Sequence, residues 1–294
     1  MTPDRPEAEI EAMSALFARH LPGLAARSVT RLGEGMDHVA YEADGGLILR
    51  MSKEPDPARR ADRIRREAAL LALVAEISPL PVPRVILSDP DAGVLGYVKL
   101  PGRPLAERPV AEPGRLAPAL GEFLTRLHLA PPERFSALAA PDTQPLTAWL
   151  AEAERHHRAV AAHLPAAARR RIEAFLGGAP PAEPRAFAFC HNDLGAEHVL
   201  AEGGTVTGVI DWSDAEIADP AYDLGLLYRD LGPEVTASIL AHYAAPWDDA
   251  AGRRAVFYAR CALLEDLAYG LRTGPRRYAE AALAHLDRTF SAWG

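Results

Sequence analysis

An α+β fold in two lobes is the architecture this 294-residue sequence predicts, and three observations predict it. Short strand-like runs divided by glycine-containing turns fill the first third of the chain, around a single helical stretch. A breaker, Pro101-Gly102-Arg103-Pro104, then interrupts the pattern. Beyond it, apolar residues recur mostly at helical spacing. The expected division is a β-rich N-terminal lobe over residues 1–102 and a larger, mainly helical lobe over 103–294.

Taken in order, the chain opens on a helix with Ile10, Met13, Phe17 and Leu21 on one face, stopped by Pro22-Gly23. Strands follow at 28–32, 39–43 and 47–51, the last two joined by Asp44-Gly45-Gly46, residues that tolerate positive φ. Residues 58–77 place Ile64, Ala68, Leu71 and Val74 at helical spacing. Strands at 85–87 and 94–100 complete the first lobe. In the second, helices are predicted at 118–130, 147–163, 166–176, 222–231, 233–244, 249–272 and 276–291. Short strands are predicted near 186–191 and 206–210, and loops at 136–146 and 177–185.

Composition narrows the class. A net charge of −8 argues against a partner that is nucleic acid or an anionic membrane, since both select basic surfaces. Two cysteines, Cys190 and Cys261, make no disulfide framework, which points to a reduced, cytoplasmic setting. The N-terminus lacks the basic-then-apolar pattern of a signal peptide, and no apolar run approaches the roughly 20 residues of a membrane span. Of 32 basic residues only Lys53 and Lys99 are lysines.

The densest chemistry lies in His191-Asn192-Asp193-Leu194-Gly195-Ala196-Glu197-His198 and in Val209-Ile210-Asp211-Trp212. One carboxylate on a loop and a second ending a short strand suit phosphoryl transfer, which needs an acid group near the attacking hydroxyl and protein ligands for the metal ions on the phosphates. The ordered pair of segments HNDLGAEHVL and TGVIDWSDAEIADPAYDLGLL, behind a β-rich lobe, resembles the aminoglycoside phosphotransferase family. That family is protein-kinase-like in fold and also contains macrolide and other small-molecule kinases. The resemblance spans about residues 28–290 and implies the roles that follow.

Asp193 is the expected catalytic residue, engaging the substrate hydroxyl; a loop-capping Asp is the plain alternative. Asp211 is the expected Mg²⁺ ligand, because Mg²⁺ prefers hard oxygen donors. His198 stands where most family members have Asn, a departure shared with the macrolide branch, and is expected as the second metal ligand. Imidazole is a softer donor. His191, Asp219 and Asp223 are expected to brace the loop.

On the nucleotide side, the resemblance puts a phosphate-covering turn at Gly33-Glu34-Gly35 and gives the usual phosphate-binding Lys position to Arg50, oriented by Glu67 seventeen positions on. Guanidinium is a planar fork and not a point charge, so this is a second departure. Residues 97–102, including Lys99, are the expected hinge against the nucleobase, and ATP and GTP both remain open as donor. For the acceptor, Asp214, Glu216, Glu265 and Asp266 are acids that suit ammonium groups, and Trp149, Tyr228, Phe257, Tyr258 and Tyr269 are aromatic candidates. Solvated helix faces and core aromatics are the competing explanation.

The implied activity is Mg²⁺-dependent transfer of the γ-phosphoryl of ATP or GTP to a hydroxyl of a small molecule, an antibiotic of the macrolide or aminoglycoside kind, by a monomer or dimer. A metabolic kinase for an amino alcohol, sugar or homoserine-like acceptor is the first alternative. A pseudokinase, supported by Arg50 and His198 and opposed by the intact Asp193 and Asp211, is the second.

Overall fold

The computed structural model describes residues 5–20, 28–35, 37–272 and 274–291. Leu21, Pro22 and Gly23, expected to end the first helix, lie outside them, as does the side chain of Phe17. The chain forms two compact units, Met1–Pro101 and Gly102–Gly294.

The first unit is an antiparallel sheet of order β1-β2-β3-β5-β4 with two helices. Its elements are α1 (Arg5–His20), β1 (Val29–Glu34), β2 (His38–Ala43), β3 (Leu47–Ser52), α2 (Pro57–Ile77), β4 (Val85–Asp89) and β5 (Val94–Val98). Alternation along the strands separates the faces. Tyr41 and Leu49, directly paired across β2 and β3, join Met13, Val39 and Leu87 in the core, while the pair Ala40 and Arg50 takes the other face. The β2–β3 turn places Asp44 at φ 51° and Gly45 at φ 70°. The connection is three residues long, Asp44 to Gly46, with the Gly46 N–H donating to the Ala43 carbonyl at 3.2 Å. Helix α2 starts where Asp56 accepts the Arg59 N–H at 2.8 Å and Pro57 supplies a preset φ. It buries Ala61, Ile64, Leu70, Leu71 and Val74.

The second unit carries most of the helix. It contains β6 (Arg103–Pro104), α3 (Ala117–His128), α4 (Leu146–Val160), α5 (Ala166–Leu176), β7 (Ala188–Cys190), β8 (Val199–Glu202), β9 (Thr205–Val209), β10 (Glu216–Ala218), α6 (Ala221–Leu231), α7 (Pro233–Leu240), α8 (Asp249–Arg272) and α9 (Arg276–Thr289). Helix α8 is the hub, packed by α4, α6 and α9. A Cβ on Gly225 of α6 would sit 2.7 Å from the Ala255 carbonyl of α8, so the two helices cross backbone to backbone.

Several elements differ from the sequence-based expectation. Residues 101–104 do not form a free break, because Arg103 and Pro104 pair with Ala201 and Leu200 of β8. Strands β8 and β10 leave no signal in the sequence, each being too short to show a period. Helices α4, α7 and α9 end a few residues early, α4 by tightening into a 3-10 turn over Ala161–His163.

Candidate active site

Strand β7 pairs antiparallel with β10, Cys190 opposite Glu216, and runs directly into His191, Asn192 and Asp193. The 191–198 loop is held from below by one side chain. Asp223, in the first turn of α6, accepts the backbone N–H of His191 at 2.9 Å and that of Asn192 at 2.8 Å. It also meets His128 Nε2 at 3.2 Å, and His128 Nδ1 lies 2.8 Å from the Tyr243 hydroxyl. Burial alone would raise the Asp223 pKa, but His128 and the His191 amide outweigh it and hold the carboxyl below its ordinary range.

His191 is fully buried against Trp212, ring centroids 4.6 Å apart. Its Nε2 donates to the Ile210 carbonyl at 3.0 Å, and its Nδ1 accepts the Asp193 N–H at 3.3 Å. That pattern belongs to a neutral imidazole. Desolvation agrees, pushing its pKa down to about 4. His191 therefore ties the loop to the segment that ends in Asp211.

Asp193 keeps 42% of its side-chain exposure. Desolvation by the rest of its surroundings still pushes the carboxyl up to about 7, with Asp214 and Asp211 adding to the rise and His198 and Arg229 opposing it. His198 Nδ1 lies 2.7 Å from the Asp193 carbonyl oxygen and 3.3 Å from its carboxylate. An N–H donated from Nδ1 leaves the Nε2 lone pair directed elsewhere, and Nε2 is 4.0 Å from Asp211 Oδ2. Burial disfavours a charged His198, yet the Asp193 and Asp211 carboxylates win and its pKa is raised. Asp211 itself has φ 62° and receives the Ser213 hydroxyl on its other oxygen at 2.8 Å. Asp193, His198 and Asp211 are thus brought together.

A second brace, absent from the sequence-based expectation, lies at the end of α6. There Arg229 and Asp230 form a bidentate pair at 2.7 and 3.0 Å. Asp230 also accepts the Ala196 N–H at 2.7 Å, and Arg229 reaches Asp266 of α8 at 2.7 Å. A Cβ on Gly195 would come within 2.9 Å of both Arg229 and Asp230, so the loop passes this pair with no room for a side chain. An Arg-Asp dipeptide near a helix end reads as surface charge, and only the Gly at 195 hinted otherwise. Desolvation pushes Asp266 up to about 6 despite Arg229.

The other acids are placed differently. Glu216 begins β10 and accepts the Asn192 side-chain amide at 3.3 Å. Asp214 and Glu265 are exposed. Tyr228, Phe257 and Tyr258 are buried in the helix packing. Trp149, half-buried, leans on Tyr222 and Tyr258 with ring centroids 5.1 and 5.4 Å away. Asp219, buried between β10 and α6, pairs with Arg254 of α8 at 2.5 Å and accepts the Ala221 N–H at 3.1 Å.

In the first unit, Arg50 and Glu67 meet at 2.5 Å with side chains only 7% and 11% exposed, and Arg50 Nη2 lies 2.8 Å from His38 Nδ1. Lys53 faces Glu34 at 2.6 Å and the Gly35 carbonyl at 3.1 Å. Neither Gly33 nor Gly35 has a positive φ, and a Cβ on Gly33 would meet nothing within 4 Å. The β-hairpin itself therefore does not demand glycine at 33. Lys99 donates to Glu42 at 2.7 Å, and its backbone N–H to Gly46. Among the described residues no helix is long and apolar enough to cross a membrane.

Known proteins share this layout. The GDP and kanamycin complex of the aminoglycoside phosphotransferase APH(2")-IIIa superposes with a TM-score of 0.73 at 25% identity, covering 95% of this chain and 98% of that one. The macrolide 2'-phosphotransferase MphH from Brachybacterium faecium gives 0.63 at 28% identity, covering 95% and 98%. In sequence, the viomycin phosphotransferase of Streptomyces vinaceus is 28% identical over 150 residues, 49% of this chain and 52% of that protein. A shorter match, 37% over 71 residues, is to the N-acetylmuramate/N-acetylglucosamine kinase of Caulobacter vibrioides, 21% of this chain and 20% of that one. The aligned parts thus span about half or less of these two relatives. The profile of the phosphotransferase enzyme family matches residues 28–257, most of the sequence, and the chain belongs to that family.

Proposed function

We propose that this protein transfers the γ-phosphoryl group of ATP or GTP to a hydroxyl of a small molecule, with an aminoglycoside or macrolide antibiotic as the leading acceptor. The observation that carries the reading is the convergence of Asp193, His198 and Asp211 on a loop braced by Asp223 and Asp230. Asp193 takes or orients the proton of the attacking hydroxyl, and a carboxyl near 7 is matched to that work at neutral pH. Arg50, aimed by Glu67, steadies the nucleotide phosphates as a fixed cation. Around Gly33 the hairpin is open, so no side chain there obstructs the approach of those phosphates.

The donor set fits Mg²⁺. Asp211 offers a hard oxygen, and the Nδ1 contact of His198 leaves Nε2 available 4.0 Å from that carboxylate. Once bound, such an ion neutralises charge developing on the transferred phosphoryl group. Asp214 and Glu265, both exposed, are the acids we assign to a cationic acceptor; Asp266, engaged by Arg229, contributes through that pair.

The GDP in the APH(2")-IIIa complex makes GTP worth testing beside ATP. The local match to an amino-sugar kinase favours one second reading, phosphorylation of a metabolic sugar. Incubation with Mg²⁺ and ATP or GTP, against kanamycin, viomycin, a macrolide and N-acetylglucosamine, tests both. Transfer to an antibiotic supports the first reading and transfer to the sugar alone supports the second. Nucleotide binding without transfer to any acceptor would sink both and leave a pseudokinase.

A further inference from the structure

Asn192, immediately before Asp193, adopts φ 64°, a left-handed conformation that costs other L-residues more than it costs Asn or Gly. Two acids flank it. Asp223 takes its backbone N–H at 2.8 Å, and Glu216 takes its side-chain amide at 3.3 Å. Glu216 is delivered there by register, because β10 sets it directly opposite Cys190, two residues before Asn192. The amide of Asn192 is thereby anchored on both its main-chain and side-chain nitrogen, and the next residue is the one that must meet the substrate hydroxyl.

We infer that Glu216 is a positioning residue for phosphoryl transfer: by holding the Asn192 side chain it fixes the left-handed turn that aims Asp193. The inference rests on the phosphotransferase reading for its kinetic consequence, and departs from the expectation that Glu216 meets the acceptor. A carboxylate that binds a cationic acceptor acts on KM. One that acts through Asn192 alters kcat, and only while Asn192 is present to transmit the effect.

The test uses the full chain and four variants: Glu216→Ala, Glu216→Gln, Asn192→Gly and Asn192→Gly/Glu216→Ala. Each is assayed for Mg²⁺-dependent transfer from ATP and GTP to kanamycin, viomycin and a macrolide, and for amide hydrogen exchange over residues 191–196. Glu216→Ala is expected to lower kcat about tenfold with acceptor KM within about twofold, as for one lost hydrogen bond to a charged group. Glu216→Gln, which keeps an acceptor oxygen, should restore most of that loss. In the Asn192→Gly background, Glu216→Ala should change kcat by less than about twofold, because the coupled partner is gone. Exchange of the loop amides should quicken in Glu216→Ala and gain nothing further in the double variant relative to Asn192→Gly. A rise in acceptor KM at unchanged kcat, or an equal loss in both backgrounds, overturns the inference. If the wild type transfers phosphate to none of the acceptors, the phosphotransferase reading fails and the exchange arm decides alone. Loop exchange that ignores Glu216 would then overturn the positioning role, and coupled exchange would uphold it.

Discussion

Asp223 holds the backbone N–H of His191 at 2.9 Å across 32 positions of sequence, and the same carboxylate takes the N–H of Asn192. Three donors converge on it, counting His128. Asp223→Asn presents one acceptor oxygen and an NH₂ in place of two acceptors. At least one buried donor then goes unsatisfied, at a cost of about 1–3 kcal/mol. Urea denaturation should show that loss, and kcat should fall with it because the loop loses its floor. Unchanged stability would mean that the loop is held by other contacts.

Asp193 is a different case, since its surroundings disfavour its charge. Asp193→Asn should cut transfer by about 10²–10⁴, the range for losing a general base. It should leave the melting temperature equal to or slightly above wild type, because a neutral amide removes the desolvation that pushes this carboxyl to about 7. Turnover near the wild-type value would reject Asp193 as the group that engages the hydroxyl.

Arg50→Ala leaves Glu67 buried without its cation. Breaking a buried pair from one side costs about 3–5 kcal/mol, so a calorimetric scan should show lower stability together with weaker nucleotide binding. Arg50→Lys restores charge but not a fork that reaches Glu67 and His38 together. It should recover nucleotide affinity only in part. Equal nucleotide KM in all three proteins would remove Arg50 from the phosphate site.

The metal preference should follow His198. Chelation of divalent ions is expected to abolish transfer, and Mn²⁺ should support the wild type well, since manganese accepts imidazole more readily than magnesium does. His198→Asn replaces nitrogen by a carbonyl oxygen and should shift the ratio of Mg²⁺- to Mn²⁺-supported rates toward Mg²⁺. An unaltered ratio would argue that His198 only braces the Asp193 carbonyl.

His191 makes stability depend on pH. Burial depresses its folded pKa to about 4 from the ordinary imidazole value of 6.5. Between those values the unfolded chain binds a proton that the folded chain refuses, so the His191 contribution is complete above about pH 6.5, declines toward pH 4 and levels below it. Its total is on the order of 3 kcal/mol. Asp193 and Asp266, raised to about 7 and about 6, act oppositely and cost stability as pH rises above 3.8. Asp223 and Asp230, whose pKa values are lowered, act in a lower window: their contribution is present above the ordinary carboxylate value of 3.8 and is lost as pH falls beneath it. Denaturation midpoints from pH 2 to 8 separate the two, and the stability difference between wild type and His191→Asn should grow from about pH 4 to about pH 6.5 and stay constant above it.

Much of this site is visible in the sequence where one local signal suffices. Strand alternation and a Gly-containing turn give β2 and β3, and a helix seventeen residues after Arg50 supplies Glu67. What stays hidden depends on distant chain. Strands β8 and β10 are too brief to carry a period; β8 lies between its hairpin partner β9 and the distant β6, and β10 pairs with the distant β7. Arg229 and Asp230 look solvated until α8 and the 191–198 loop close over them. Asp266 reads as an acid for the acceptor, and its tie to Arg229 follows only from how α6 and α8 cross. Asn192 gives no sign of its left-handed backbone, because Asn tolerates either hand.

Helix α6 holds the loop from two places, Asp223 at its start and Asp230 at its end, while Gly225 locks it against α8 between them. Sliding that helix by a single residue would unseat both grips at once. Under the acceptor role proposed for the exposed acids Asp214 and Glu265, change in what the protein accepts should fall at those positions and not within α6. A mutational scan scored by selection should show this as a sharp contrast in tolerance. Insertions would be forbidden within 221–231, and substitutions at 214 and 265 would redistribute activity among acceptors.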